Sequence, residues 1–150
     1  MRFAIVVGRF YEEVAERLVG SATKVFEQAG ADAVDVFGVP GAFELPLAAQ
    51  MAAKTGRYDG IACLGAVIRG ETSHYDHVCA EAARGIQDVA LSTGVPCGFG
   101  LLTVDTMDQA LARAGGDKRD QGVDAAAAVL ALARVRSELS ERGGEPPEAG

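Results

Sequence analysis

Four short apolar segments alternate along the chain with longer segments whose apolar residues recur every three or four positions. The apolar segments are nearly continuous, a pattern typical of strands covered on both faces. Strands that alternate with helices predict a parallel sheet with right-handed crossovers and helices on both sides. We therefore expect a three-layer α/β/α sandwich around a four-stranded parallel sheet, with strands over residues 3–7, 33–39, 60–68 and 95–103.

The helical segments are bounded by residues that favour helix ends. Gly30 follows the first helix, Glu44 and Pro46 would occupy the first turn of the second, and Ser73 and Asp76 stand at capping-box spacing before the third. An Asp or Thr at positions 105 and 106 would cap the fourth. The predicted helices cover residues 11–28, 44–54, 73–93, 106–114 and 121–141.

The length of the chain and the composition of its last residues limit the possible domain organisation. At 150 residues the chain is the size of one ordinary domain and can bury a core without disulfides or metals. Residues 143–150 are small, polar and proline-rich. We expect one domain over residues 1–142 and a disordered tail over 143–150.

Charge, hydropathy and cysteine usage exclude several classes of partner. The net charge of −7 opposes binding to nucleic acids or anionic membranes. The first apolar run is too short for a signal peptide, and no later run approaches the length of a membrane span. Cys63, Cys79 and Cys97 form no C-x-x-C pair and have apolar neighbours, which favours buried thiols over ligands or disulfides. We expect a cytoplasmic protein.

Four polar or glycine-rich segments follow the predicted strands. In a parallel sheet they would share one edge, at the carboxyl ends of the strands, where ligands bind. Each segment also has an ordinary structural explanation, because such loops need glycines and helix caps. Their convergence favours a ligand site built from residues 8–10, 39–44, 69–74 and 102–105.

The third of these segments carries the strongest chemical signal. Gly70 would let the backbone approach a ligand, and the amides of Glu71 and Thr72 would face an anion just before a helix. His74, at the start of that helix, suits a general base and acid near neutral pH. The alternative for His74 is a solvated or capping histidine.

A metal site is a separate possibility, because helical spacing relates Glu71, His74 and His77. No zinc or iron signature matches, so we expect no metal.

Four other side chains have both a structural and a ligand-binding interpretation. Phe10 could stack on a planar heterocycle or fold back onto the core. Phe99 stands between two glycines, which weaken a strand unless another element packs close to it. Glu44 and Arg113 fit the electrostatics of helix ends.

Several motifs together resemble the lumazine synthase family in order and spacing, over residues 3 to about 135. The most specific are V-P-G-A-F-E at 39–44 and I-R-G-E-T-S-H at 68–74, and the others lie at 8–10, 94–96, 99–100 and 113–115. The resemblance implies a flavodoxin-like fold. It also implies condensation of 5-amino-6-(ribitylamino)uracil with 3,4-dihydroxy-2-butanone 4-phosphate, giving 6,7-dimethyl-8-ribityllumazine in the penultimate step of riboflavin biosynthesis. It implies no cofactor.

The resemblance assigns roles to individual residues. His74 would move protons during the condensation, and the amides of Glu71 and Thr72 would bind the phosphate. Phe99 and Arg113 would come from a neighbouring subunit, the first covering the ring and the second pairing with phosphate. The pyrimidine and ribityl chain would be held by Phe10, Ala42, Phe43, Glu44, Ala66, Val67 and Ile68.

Shared sites of this kind imply a homo-oligomer built on pentamers. Family members form free pentamers or sixty-subunit shells, and the first strand begins almost at Met1, so we expect a free pentamer. A functional association with riboflavin synthase is a further expectation. The chain departs from the family at Tyr11 (often Asn), His77 (usually aromatic) and Gln121 (often Lys). A second cation near the phosphate would then come from position 118 or 119.

Three other functions compete with this one. A non-catalytic protein could keep the fold and bind flavin precursors or form shells. An archaeal-type riboflavin synthase would act on two lumazines on a similar scaffold, but the motifs at 41–44 and 69–74 fit it poorly. A receiver domain would need an acidic pair after the first strand, where this chain has Gly-Arg-Phe.

Overall fold

One parallel sheet forms the centre of the computed structural model, which describes residues 1–70, 74–116 and 119–142. Its order is β2-β1-β3-β4, the order of flavodoxin-like folds. The predicted parallel sheet and fold class are confirmed. The fourth strand begins two residues later than expected, and the strands are β1 (Arg2–Gly8), β2 (Ala33–Val39), β3 (Gly60–Ile68) and β4 (Cys97–Val104).

In the described ranges, five helices connect and cover the strands: α1 (Glu12–Gln28), α2 (Leu45–Lys54), α3 (His74–Thr93), α4 (Met107–Ala112) and α5 (Gln121–Arg142). A 3₁₀ turn, Ala42–Glu44, precedes α2, so Glu44 lies before the helix rather than in its first turn. The Thr106 hydroxyl accepts a hydrogen bond from the Gln109 amide, and α4 therefore begins after Thr106. Ser73 and the tail lie outside the described residues.

The core has two parts, one on each face of the sheet. On one face α1 and α5 cover the strands, and Phe3 of β1 stacks on Phe26 of α1 with ring centroids 4.4 Å apart. On the other face α2 and α3 cover the strands. Successive residues of β1 point to opposite faces, both of which are covered. Residues 3–8 are therefore buried and read as a continuous apolar run.

The prediction that every strand is covered on both faces is wrong for β2. This strand is at the edge of the sheet, and Val36 and Phe37 are 40% and 46% exposed. The helices pack mainly over β1, β3 and β4, which leaves apolar side chains of β2 in contact with solvent in a single chain.

Tyr58, in the loop before β3, ties that loop to β2. Its hydroxyl donates a 2.7 Å hydrogen bond to Asp35, and its ring meets Phe37 edge-on. Burial and this hydrogen bond raise the pKa of Tyr58. We expect Tyr58→Phe to lower the free energy of unfolding by about 1 kcal/mol, the usual net value of one such bond. Urea denaturation of the two proteins measures the difference, and equal midpoints would show that water replaces the bond without cost.

The thiols are free in the described part of the chain, as the cysteine pattern indicates. Cys63 is buried, whereas Cys79 and Cys97 are only partly buried. The pKa of the Cys63 thiol is raised well above its usual value, mainly by a hydrogen bond with Cys97 and also by burial. The described residues include no helix long and apolar enough to cross a membrane.

Candidate active site

A cleft of about 660 Å³ opens at the carboxyl ends of β1 and β3, between the 3₁₀ turn and the start of α3. Its volume is within the range of small-molecule sites. Most of the residues proposed from the sequence meet here, including all of those assigned to the pyrimidine and ribityl chain from within one subunit. They are Phe10, Ala42, Phe43, Glu44, Ala66, Val67, Ile68 and His74.

Two backbones approach each other closely beside the cleft, at Gly8 and at Gly41. A Cβ atom at Gly8 would lie 3.0 Å from the carbonyl carbon of Gly41 and 3.3 Å from the amide nitrogen of Ala42. Glu44 closes the 3₁₀ turn, because its Oε1 accepts a 3.0 Å hydrogen bond from the Gly41 amide. Gly8 and Glu44 thus bring the turn against the end of β1 and shape one wall.

Two exposed aromatic rings line this wall. Phe10 is 76% exposed and Phe43 is 63% exposed, and Phe10 contacts Tyr11 edge-on with centroids 4.9 Å apart. Phe10 is therefore not folded back onto the core. The preceding residue, Arg9, points toward α1 instead, where its Nη1 lies 2.6 Å from Glu16. Among the described residues, those that line this side of the cleft present apolar ring surface and no cation.

The opposite wall is one face of α3. His74, His77, Val78 and Glu81 line it on successive turns. His77 is exposed, and it faces the cleft. Glu81 was missed altogether, although residues three, four and seven positions after His74 share a helix face and could have been found by that spacing.

The backbone of β3 is only partly paired where it reaches the cleft. Pairing between β1 and β3 ends at Val7 with Leu64, whereas β3 remains paired with β4 as far as Ile68. The segment from Ala66 to Ile68 therefore has no β1 partner on the side that faces the cleft. Backbone groups in such a position require a partner other than the sheet.

Phe99 does not line this cleft. It lies on β4, is 40% exposed, and its carbonyl accepts a hydrogen bond from the Gln121 side chain at 3.2 Å. The neighbouring glycines face α5, since a Cβ atom at Gly98 would overlap the carbonyl oxygen of Ala125. The close packing that glycines beside Phe99 indicated is thus provided by α5.

Arg113 also lies outside the cleft. It follows α4, and its Nη1 donates a 3.1 Å hydrogen bond to the carbonyl of Gln109. Within the described ranges no carboxylate forms an ion pair with Arg113. Arg119, a candidate for the second cation, pairs with Asp124 at 2.6 Å.

Three of the proposed residues are outside the described part of the chain: Glu71 and Thr72, assigned to phosphate, and Lys118. No group of three His, Cys, Asp or Glu side chains among the residues of known position could hold a metal ion. The combination of Glu71 with the two histidines is not tested by that observation.

Comparison with known proteins decides the family. The sequence model of 6,7-dimethyl-8-ribityllumazine synthase matches residues 1–137. The chain belongs to the lumazine synthase family. The 6,7-dimethyl-8-ribityllumazine synthase of Salinibacter ruber is 51% identical over 140 residues, which cover 92% of this chain and 90% of that protein. The proteins of the same name from Nitratidesulfovibrio vulgaris and Desulfovibrio desulfuricans are each 48% identical over 141 residues, covering 93% of this chain and 90% of each relative.

Membership of the lumazine synthase family confirms the resemblance and makes the chain an enzyme. The match also excludes the receiver domain, and it favours this family over the archaeal-type riboflavin synthase. Half of the residues differ from those of the relatives, so the roles of individual side chains rest on the geometry of the cleft.

Proposed function

We propose that the chain catalyses the condensation of 5-amino-6-(ribitylamino)uracil with 3,4-dihydroxy-2-butanone 4-phosphate. The products are 6,7-dimethyl-8-ribityllumazine, phosphate and water, in the penultimate step of riboflavin biosynthesis. The supporting observation is the cleft itself, which places the exposed Phe10 ring, the turn at Ala42–Glu44 and His74 around one volume. The chain that forms it is about half identical to proteins named for this product.

The pyrimidine fits the side of the cleft formed by Phe10 and β3. A planar ring stacked on Phe10 gains apolar contact, and its polar edge meets the backbone of Ala66 to Ile68. Those backbone groups are free to bind it because β1 does not pair with them. The turn at Ala42–Glu44 would hold the ribityl chain, whose hydroxyls require polar partners.

His74 acts in the proton transfers of this reaction. The ring amine attacks the ketone of the phosphate-bearing substrate, and water leaves as the imine forms. Phosphate is then eliminated, and the resulting enol becomes a carbonyl. The ribitylamino nitrogen attacks this carbonyl, and a second water leaves as the ring closes. Each step takes a proton from nitrogen or carbon, or gives one to oxygen, and an imidazole serves both directions near neutral pH. Holding two reactants together accounts for much of the remaining acceleration.

Assembly completes the site in this proposal. Phe99 and Arg113 lie outside the chain's own cleft, so they would act in a neighbour's cleft, Phe99 over the ring and Arg113 on the phosphate beside the amides of Glu71 and Thr72. Apolar side chains left exposed by a single chain support burial against other copies: Val36, Phe37, Leu47, Met51 and Leu91. We propose a free pentamer with shared sites, acting in the cytoplasm and feeding its product to riboflavin synthase.

A direct assay tests the reaction. The purified protein is incubated with both substrates, and the lumazine is followed by its absorbance and fluorescence. We expect product that depends on both substrates and needs no added metal. Tight binding of the pyrimidine without product would favour the non-catalytic alternative. Riboflavin formed from lumazine alone would indicate a riboflavin synthase.

Mixed oligomers test whether sites are shared. His74→Ala and Arg113→Ala are each expected to lose most activity, because one lacks the proton carrier and the other the phosphate cation. The two variants are co-expressed in equal amounts with different tags, and mixed oligomers are purified through both tags. These oligomers should regain about a quarter of wild-type activity, because about one interface in four combines an intact His74 with an intact Arg113 from the neighbouring chain. No recovery in verified mixed oligomers would place both residues in one chain's site.

A further inference from the structure

Arg69 follows β3 and lies where three elements meet. Its amide donates a 2.8 Å hydrogen bond to the carbonyl of Val104, at the end of β4. Its guanidinium Nε donates to Asp105 at 2.9 Å, and its Nη1 lies 3.8 Å from Asp76 in the first turn of α3. The guanidinium carbon is 4.3 Å from the centroid of the Tyr75 ring.

These contacts use both the edge and the face of one guanidinium. The edge donates a hydrogen bond to Asp105 and lies within ion-pair distance of Asp76, and the face covers the aromatic ring. Arginine provides this combination and lysine does not. Asp105 is itself held, because its amide donates a 2.7 Å hydrogen bond to the Gln109 side chain. Arg69 therefore connects the first turn of α3 to Asp105, which follows β4.

The contacts are better suited to positioning than to stability. The side chains of Arg69, Asp76 and Asp105 are 51%, 68% and 63% exposed, and ion pairs between exposed groups contribute little to folding. Tyr75 and Asp76, however, directly follow His74. A shift of the first turn of α3 would move the imidazole, and a displacement of about 1 Å at a reacting group can lower a rate a hundredfold.

We propose that Arg69 is a positioning residue, which holds the first turn of α3 and thereby sets the place of His74 in the cleft. The proposal rests on the proposed function of His74. It assigns Arg69 no contact with substrate. Loss of the guanidinium should therefore lower turnover while the binding of the pyrimidine, on Phe10 and β3, changes little.

The test compares Arg69→Met and Arg69→Lys with Arg84→Met. Arg84 is also exposed on α3, and its pair with Asp88 at 4.0 Å joins no other element, which makes it a matched control. We expect kcat to fall about tenfold or more in Arg69→Met, with KM for the pyrimidine within about twofold. Arg69→Lys should restore only part of kcat, and Arg84→Met should equal the wild type.

A second readout does not depend on activity. The chain contains two histidines, His74 and His77, so ring signals in NMR spectra can be assigned with one His77 variant. Arg69→Met and Asp105→Asn should both shift the His74 signals, and Arg84→Met should not. If Arg69→Met fails to fold, Asp105→Asn replaces it in the comparison with Arg84→Met. This variant removes the carboxylate that holds the guanidinium and keeps Arg69 itself.

The outcomes separate the two proposals. An inactive wild type would refute the proposed reaction, whereas the NMR comparison would still report on Arg69. Wild-type kcat and unshifted His74 signals in Arg69→Met would overturn the positioning role alone. A raised KM for the phosphate-bearing substrate with unchanged kcat would show that Arg69 binds substrate directly, and this result would also overturn it.

Discussion

His74→Ala should lower kcat by at least about a hundredfold, the lower end of what a positioned general acid and base contributes. The expected loss is large because His74 faces the cleft from the first turn of α3, opposite the ring and turn that would hold the pyrimidine. Initial rates with both substrates at saturation measure it. Truncation of an exposed side chain should leave folding and assembly intact, and the mass of the variant in solution checks this.

His77→Phe is the matched control for His74. It changes the other histidine of the same helix face and introduces an aromatic residue of the kind usual at this position in the family. We expect it to retain most of its turnover. Near-wild-type turnover of His74→Ala would remove His74 from the mechanism. An equal loss in both variants would instead indicate that the reaction depends on the shape of this wall.

Gly98→Ala should destabilise the fold by about 1–3 kcal/mol, the usual cost of overpacking a well-filled core. A methyl group there would overlap the backbone oxygen of Ala125 and approach Val129 Cγ2 to 2.7 Å. The backbone of α5 cannot yield as a flexible side chain can, so the helix must move away from β4. Since Phe99 is the next residue, activity should fall together with stability. Urea denaturation measures the first effect and the assay measures the second.

Gly20→Ala provides the opposite expectation. Gly20 is exposed in the interior of α1 and has no positive φ angle, and a Cβ atom at this position would meet no neighbouring group within 4 Å. Alanine should therefore raise the free energy of unfolding by about 0.5–1 kcal/mol. It reduces the backbone freedom of the unfolded chain, and its helix propensity is higher than that of glycine. A similar effect of both substitutions would mean that the contact between Gly98 and α5 is not close in solution.

Much of the fold could be predicted because its signals are local. Continuous apolar runs with a glycine at one end mark β1 and β3, and the stripe on α1 marks a helix that covers one face. The parallel arrangement follows from the alternation alone, and it places the strand ends on one edge. The cleft residues from Phe10 to His74 were therefore predictable as neighbours, although they are far apart in the chain.

Other features depend on contacts that no local pattern contains. The apolar sequence of β2 resembles that of a buried strand, yet the order of the sheet places it at an edge. The contacts of Arg69 with Tyr75, Asp76 and Asp105 require the ends of β3, β4 and α3 to meet. Glu81 could have been assigned by helical spacing, but only the position of α3 shows which helix face meets the cleft.

The sequence by itself determined the order of strands and helices, the parallel sheet and the family, and it placed His74 at the start of a helix beside a ligand edge. These follow from residue spacing and motif identity. Only the tertiary structure decided that α5 packs on the glycines beside Phe99, that the end of β3 has no partner on the β1 side, and that Arg69 contacts Tyr75 and Asp76. The physical reason is that the spacing of apolar residues indicates which side chains are buried. The register of the strands and the packing of the helices determine which groups those side chains contact.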